Sequence, residues 1–292
     1  MNIDGSKYWE ERIHGILPDL KIKDVEVYHE GLVNDVLIVN RQWVIRFTKS
    51  DYGKELITLE DHLMQYLNPR VTLKLPFPVK RADCVLVYEL LEGHEFPRKI
   101  WKHAEPALQE RIAEQLGVFL SELHHMPESI KDWEIPLTLA PVSRATWLDI
   151  QARVVEKVCP LLLDDQVIWL EELFESAFDV AGFFEFDQVL IHGDLGPYHL
   201  LYDEKAQRLN GVIDFGLAGL GDPATDLGAL ILNYGESLVE KIKPFYPLYD
   251  KLLPRARFYA QAAEVHSALL GVETGENYWF TAHLGEARDI GG

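Results

Sequence analysis

The chain has 292 residues, 48% apolar and 26% charged, a balance that supports one large or two ordinary globular domains and excludes a disordered chain. Its 47 acids against 28 bases give a formal net charge of -19, which argues against nucleic acid as the main partner, because phosphate-backbone binding uses a basic face. Cys84 and Cys159 are the only cysteines; they form no CxxC pair, so a disulfide framework and a cysteine-built zinc site are excluded and a reducing compartment suits the chain.

The opening MNIDGSKYWEER carries acids early and lacks the apolar core of a signal peptide. No stretch has the apolar length of a membrane span, so a cytoplasmic protein without a membrane partner is expected. KDVEVYH alternates loosely, and NDVLIVN and WVIRFTK are short β-branched runs separated by Asn40-Arg41-Gln42, which suits a tight hairpin. GKELITLEDHLMQYL then spaces Leu56, Leu59, Leu63 and Leu67 as an amphipathic helix. Pro69, Pro76 and Pro78 break the segment after that helix, and CVLVYELL reads as a buried strand closed by Glu92-Gly93.

After Gly93 the periods become helical. Leu108, Ile112, Leu116, Phe119, Leu120 and Leu123 form one face, and further helices are expected near 143–158 and 164–181. DQVLIH and LNGVIDF read as short strands with a small one at LLYD between them, and the remainder is helical again from near Pro223. Strands first and helices afterwards predict an α+β architecture with a boundary near residue 90. No internal repeat or low-complexity segment is present.

The strongest local signal is IHGDLGPYHLLYD followed by VIDFGLAGLGDPATDLG. Asp194 lies in a Gly/Pro-rich loop after an apolar strand, and Asp214 ends another strand before Phe215 and Gly216. Loops leaving strand ends on a rigid scaffold are where catalytic groups sit. Phosphoryl transfer needs one carboxylate to orient or deprotonate the attacking hydroxyl and another to hold Mg²⁺ against the phosphates. Asp194 and Asp214 fit these roles, with His199 as a second ligand from the same loop. Each piece alone is an ordinary loop or strand end; their order and spacing carry the weight.

The run H-G-D-L-G-P-Y-H-L-L with its downstream I-D-F-G resembles the aminoglycoside phosphotransferase and choline kinase-like superfamily, and most of all its aminoglycoside 2″-phosphotransferase branch. The resemblance covers about residues 23 to 285 and is tightest over 192–226. It implies a protein-kinase-like bilobal fold, with an N-terminal antiparallel β lobe carrying one key helix over residues 1–90. A larger, mainly helical C-terminal lobe that holds catalysis and the acceptor would span 91–292. Asp194 would be the catalytic base, His199 and Asp214 the metal ligands, and His192 a structural loop anchor. The general pattern has Asn where His199 stands; the 2″ branch also shows His, although imidazole is a poorer Mg²⁺ ligand than an oxygen donor.

The same resemblance assigns nucleotide contacts. Arg46 takes the strand position that meets the phosphates, where the family usually has Lys, with Glu60 on the helix to hold it and Lys49 as a fallback. Arg grips phosphate bidentately rather than as a point charge. Gly31 and Asn34 in GLVND would lie over the phosphates, although this is not a GxGxxG loop. VYELLEG resembles the hinge, with backbone groups of Glu89 and Leu91 bonding the purine and Tyr88 at the back of the pocket, where a bulky ring goes with GTP in preference to ATP. Asp226 matches a recurrent acid assigned to structure.

The short interval between Gly216 and the helix near Pro223 leaves little room for a peptide platform, so a small hydroxylated acceptor is expected. Glu236, Glu264, Glu273 and Glu276 are candidate carboxylates for an amino sugar, with Tyr278 and Trp279 as stacking surfaces. An acidic chain suits a cationic acceptor but equally suits plain solubility. A macrolide, choline or another metabolite amine remains an alternative acceptor, and the departures at Arg46 and His199 keep a nucleotide-binding pseudokinase open. Oligomeric state is not legible.

Overall fold

Helix α1 (Ile3–Ile16) has no counterpart among the sequence expectations, although Trp9 and Ile13 lie four apart on one face. The computed structural model describes residues 3–29, 33–82, 84–125 and 135–276. It divides into two units, one of Met1–Gln65 with Pro76–Leu90 and one of Tyr66–Leu75 with Leu91–Gly292. No helix among the described residues is long and apolar enough to cross a membrane.

The first unit is built on strands β1 (Val25–Tyr28), β2 (Asn34–Val39), β3 (Trp43–Thr48), β4 (Pro78–Ala82) and β5 (Val85–Glu89). They form one antiparallel sheet in the order β1-β2-β3-β5-β4. The β2–β3 connection is the tight hairpin expected of Asn40-Arg41-Gln42. Asn40 and Arg41 have φ of 56° and 52°, and the Gln42 N–H donates to the Val39 carbonyl at 3.0 Å, a type I′ turn that matches strand twist. Asn40 tolerates this conformation and its Oδ1 accepts the Lys23 N–H at 2.7 Å. Trp9 and Ile13 of α1 pack with Leu37, Val39, Ile45, Phe47, Val85 and Val87 into one core.

Helix α2 (Asp51–Leu67) follows β3. Its buried stripe is not quite the leucine ladder: Leu63 and Leu67 are buried, but Leu56 and Leu59 are only half-buried, and Ile57, Glu60 and Met64 are inside. The face is turned because Glu60, polar by type, goes in to meet a cation.

The second unit is mainly helical, with α3 (Arg98–His103), α4 (Pro106–His124), α5 (Arg144–Lys157), α6 (Asp164–Phe178), α7 (Ala224–Tyr234), α8 (Glu236–Ile242) and α9 (Tyr249–Thr274). Ser143 caps α5, its hydroxyl accepting the Thr146 N–H at 3.1 Å. Strand β7 (Val189–Ile191) pairs not with the next strands along the chain but with β10 (Gly219–Gly221). Strands β8 (Leu200–Asp203) and β9 (Arg208–Val212) pair with each other, with β6 (His94–Glu95) on the far side of β8.

Helix α9 lies against α7, where Gly228 allows close approach; a Cβ there would meet the Ala256 carbonyl oxygen at 2.9 Å. Just before α7, buried Asp222 accepts Arg255 Nε at 2.6 Å and Nη2 at 3.0 Å, and the Tyr259 hydroxyl at 2.9 Å. A buried ion pair needs this number of hydrogen bonds to offset its desolvation.

Ile13 is 0% exposed in the first unit's core. Ile13→Ala is expected to cost about 2–4 kcal/mol through lost transfer energy and the cavity left behind, read as a lowered midpoint in urea denaturation.

Candidate active site

The loop after β7 is fixed from beneath by one carboxylate. Asp226, in the first turn of α7 and 0% exposed, accepts the His192 backbone N–H at 2.9 Å on Oδ2 and the Gly193 N–H at 2.7 Å on Oδ1. His124, at the end of α4, places Nε2 at 3.1 Å from Oδ2, and the Tyr246 hydroxyl lies 2.5 Å from its Nδ1. Burial pushes the Asp226 carboxyl up, but the His124 hydrogen bond and charge, followed by His192, outweigh it and hold the group below the usual carboxylate range. Gly193 has φ +83°, and a Cβ there would meet the Leu217 carbonyl oxygen at 2.7 Å, so the turn requires glycine.

His192 is itself buried. Its Nδ1 accepts the Asp194 N–H at 3.2 Å, so Nε2 carries the proton and donates to the Ile213 carbonyl at 3.1 Å. The ring packs on Phe215 at 4.8 Å between centroids, tying the Asp194 loop to the Asp214 loop.

Sheet register brings the expected metal ligands together. Leu200 of β8 lies opposite Val212 of β9, and the Ile213 N–H donates to the His199 carbonyl at 3.0 Å, so His199 and Asp214 leave the same sheet edge. His199 Nδ1 lies 2.7 Å from the Asp194 carbonyl oxygen, an acceptor only, which puts the ring proton on Nδ1. Nε2 then presents its lone pair 3.6 Å from Asp214 Oδ2, while Nδ1 is 3.6 Å from Asp194 Oδ2. Asp214 has φ 64°, a costly conformation for a residue with a Cβ, eased by the Gly216 N–H donating to its Oδ1 at 3.2 Å. Tyr198, not singled out by the sequence, brings its hydroxyl to 3.4 Å from Asp194 Oδ1.

In the first unit, Arg46 of β3 and Glu60 of α2 meet as expected: Nη1 donates to Oε1 at 3.0 Å, with the residues 7% and 1% exposed. Lys49 does not take that place; its Nζ donates to the His29 carbonyl at 2.7 Å and lies 3.5 Å from Asp35. Asn34 is buried at the start of β2 opposite Thr48. Tyr88 is buried on β5, and Glu89 is exposed at its end. The Leu90 N–H donates to the Gln42 carbonyl at 2.7 Å, so by strand alternation the Glu89 backbone groups face away from β3. Leu91, half-buried, begins the second unit beside Gly211. Gly31 lies outside the described residues.

The candidate acceptor acids fare differently. Glu236 is 4% exposed, and its Oε1 accepts Arg257 Nε at 2.9 Å and Arg257 Nη2 as well. Glu273 accepts Arg153 on both oxygens and Lys157 Nζ at 2.8 Å; the Arg153 and Lys157 hydrogen bonds hold its carboxyl down at about 2. These two carboxylates serve internal cations rather than standing open, because basic side chains reach them from helices distant in sequence. Glu264 is half-buried on α9 and Glu276 is exposed. Tyr278 and Trp279 lie outside the described residues.

Two imidazoles sit below their ordinary range: His192 through burial and then the neighbouring His199, and His266 through burial and then Arg153. Unfolded, each protonates near pH ~6.5. Below that value the unfolded chain binds more protons, so their contribution to stability is complete above about pH 6.5 and falls as the pH drops. The urea midpoint is expected to be lower at about pH 5.5 than at about 7.5, and His192→Gln to flatten part of that fall.

Residues 24–259 match the sequence pattern of the phosphotransferase enzyme family. Viomycin phosphotransferase of Streptomyces vinaceus is 28% identical over 139 residues, a stretch that is 47% of this chain and 46% of that protein, so the chain spans less than half of that relative's length. APH(2″)-IIIa, solved with GDP and kanamycin, superimposes at a TM-score of 0.83 with 26% identity, covering 95% of this chain and 96% of that one. A macrolide 2′-phosphotransferase type I shares the fold at a TM-score of 0.73 and 21% identity, covering 99% of this chain and 98% of that one. The antiparallel sheet of the first unit and the helical second unit are thus the kinase-like fold of these proteins, and the chain, matched over most of its length, belongs to the phosphotransferase enzyme family.

Proposed function

We propose that this protein is a cytoplasmic small-molecule kinase that transfers the γ-phosphoryl group of GTP or ATP to a hydroxyl of an aminoglycoside-like acceptor. The observation that carries the reading is His199 lodged between two carboxylates, 3.6 Å from Asp194 Oδ2 on one side and 3.6 Å from Asp214 Oδ2 on the other. Asp194 receives the acceptor hydroxyl's proton as its oxygen bonds to the γ-phosphorus and the bond to the bridging β-phosphate oxygen breaks. Such a reaction is catalysed mainly by positioning and charge.

The donor set fits Mg²⁺. His199 turns its lone pair toward the space beside Asp214 and anchors its other ring nitrogen on a backbone carbonyl, the outer-shell arrangement of a ligating histidine. Among the described residues no group of three or more His, Cys, Asp or Glu gathers to hold a metal. This suits an ion bound by one or two protein ligands plus substrate phosphates. When bound, the cation neutralises charge on the phosphates.

Residues 1–90 are assigned to the nucleotide and 91–292 to catalysis and the acceptor. Arg46, held by Glu60, and Asn34 serve the phosphates; Glu89 and Leu91 serve the purine through their backbones, with Tyr88 behind it favouring GTP. Glu264 and Glu276 are the described acids kept for the acceptor. Because Glu236 and Glu273 are paired internally, a second reading is a different hydroxylated acceptor, such as a macrolide or viomycin. The net charge of -19 supports a cationic small molecule rather than nucleic acid.

A panel of kanamycin, a macrolide and viomycin with each nucleotide, read by product mass, separates these readings; nucleotide binding with no turnover on any acceptor defeats the kinase proposal. Asp194→Asn is expected to keep nucleotide affinity and lower kcat by about 10²-fold or more. Tyr88→Ala is expected to raise kcat/KM for ATP relative to GTP, and an unmoved ratio removes Tyr88 from purine choice.

A further inference from the structure

The Tyr198 hydroxyl donates to Asp194 Oδ1, the atom pair that an acceptor hydroxyl and its base would form. The loop is shaped for this. Tyr198 sets its ring edge-on against His199 at 4.5 Å and 87°. Gly196 lies beneath it; a Cβ there would be 2.6 Å from Tyr198 Cζ and 2.9 Å from its hydroxyl oxygen. The backbone is pinned on both sides, with the Gly196 N–H donating to the Asp194 carbonyl at 2.9 Å, the His199 N–H to the Gly196 carbonyl at 3.0 Å, and the Phe96 N–H to the Pro197 carbonyl at 3.0 Å. The residue is nevertheless 43% exposed, so an incoming molecule can reach it. At 3.4 Å the bond is longer than the usual O–H···O distance of about 2.7–2.8 Å, hence weak and readily exchanged.

We infer that Tyr198 guards Asp194, its phenol standing where the acceptor hydroxyl will bind and holding back transfer to water until an acceptor displaces it. The inference rests on Asp194 being the base. In the reaction held back, a water oxygen bonds to the γ-phosphorus and the bond to the bridging β-phosphate oxygen breaks. The water's proton passes to Asp194, giving nucleoside diphosphate and inorganic phosphate. Tyr198 is a positioning residue in this account: it acts through Asp194 and forms no bond to phosphorus.

The test uses the full chain with Mg²⁺ and GTP or ATP and no acceptor, measuring released phosphate. Tyr198→Phe is expected to raise hydrolysis about threefold to tenfold, the scale of one modest hydrogen bond, with melting temperature and nucleotide KM unchanged. Gly196→Ala, which pushes the ring off Asp194 but keeps the hydroxyl, should raise it as well. Combining Tyr198→Phe with Asp194→Asn should return the rate to that of Asp194→Asn alone. Equal or lower hydrolysis in both Tyr198→Phe and Gly196→Ala, background rates included, overturns the guard. If acceptor phosphorylation is still lost in Asp194→Asn, the kinase reading survives that result; if the unmodified chain phosphorylates nothing, the kinase reading itself has failed.

Discussion

The second unit depends on the Asp226 carboxylate. An ionised carboxylate with no solvent contact is costly unless its lone pairs are filled. Here two backbone N–H groups of the Asp194 loop and the His124 ring fill them, and the carboxylate's place in the first turn of α7 adds the favourable end of the helix dipole. The loop cannot relax without stripping that charge of two of its hydrogen bonds. This is a stiff restraint on the loop, of the kind that the proposed role of Asp194 in holding a reacting group calls for.

From that anchor the rest of the cluster is reached by short steps. The glycine at 193 lets the chain turn over Asp226, and His192 passes the position on to Phe215 and Ile213. The β8–β9 register then brings His199 beside Asp214. The strained backbone at Asp214 is tolerated because both of its flanks are already held. Strain of this kind persists only where the surroundings over-determine the geometry.

Much of this is legible in the sequence, for identifiable reasons. The hairpin at Asn40, the helices of the second unit and the short strands near 190 and 210 announce themselves through period and turn chemistry, and the Asp194–Asp214 block through spacing. The pairing of Arg46 with Glu60 is legible only through the family resemblance, which assigns one to the strand and the other to the helix. Less legible is whatever depends on pairing at a distance. His124 is an ordinary helix-end histidine by sequence and becomes a partner of Asp226 only across 102 positions. The turned face of α2 is hidden because the leucine spacing points to Leu56 and Leu59, while Ile57 and Met64 take the inward positions. Helix α1 escapes notice because its opening residues are weighed as a leader rather than for their period. Tyr198 sits in plain view beside the motif, but nothing in residue type alone says that its ring folds back over Gly196.

The acids show most clearly where reading by type fails. Long α9 is tied by acid–base pairs at Arg255, Arg257 and Glu273, to Asp222, Glu236 and to Arg153 with Lys157 respectively. A carboxylate paired in this way presents a dipole rather than a charge, and its pull on an approaching ammonium falls off quickly and is screened within about 10 Å at ordinary ionic strength. Two of the four acids that read as acceptor ligands, Glu236 of α8 and Glu273 of α9, therefore tie α9 to its neighbours. What draws a cation to such a protein is then the summed field of a chain with 47 acids against 28 bases, which governs encounter. In the proposed function, the choice of hydroxyl falls to the few groups around Asp194 that can touch it.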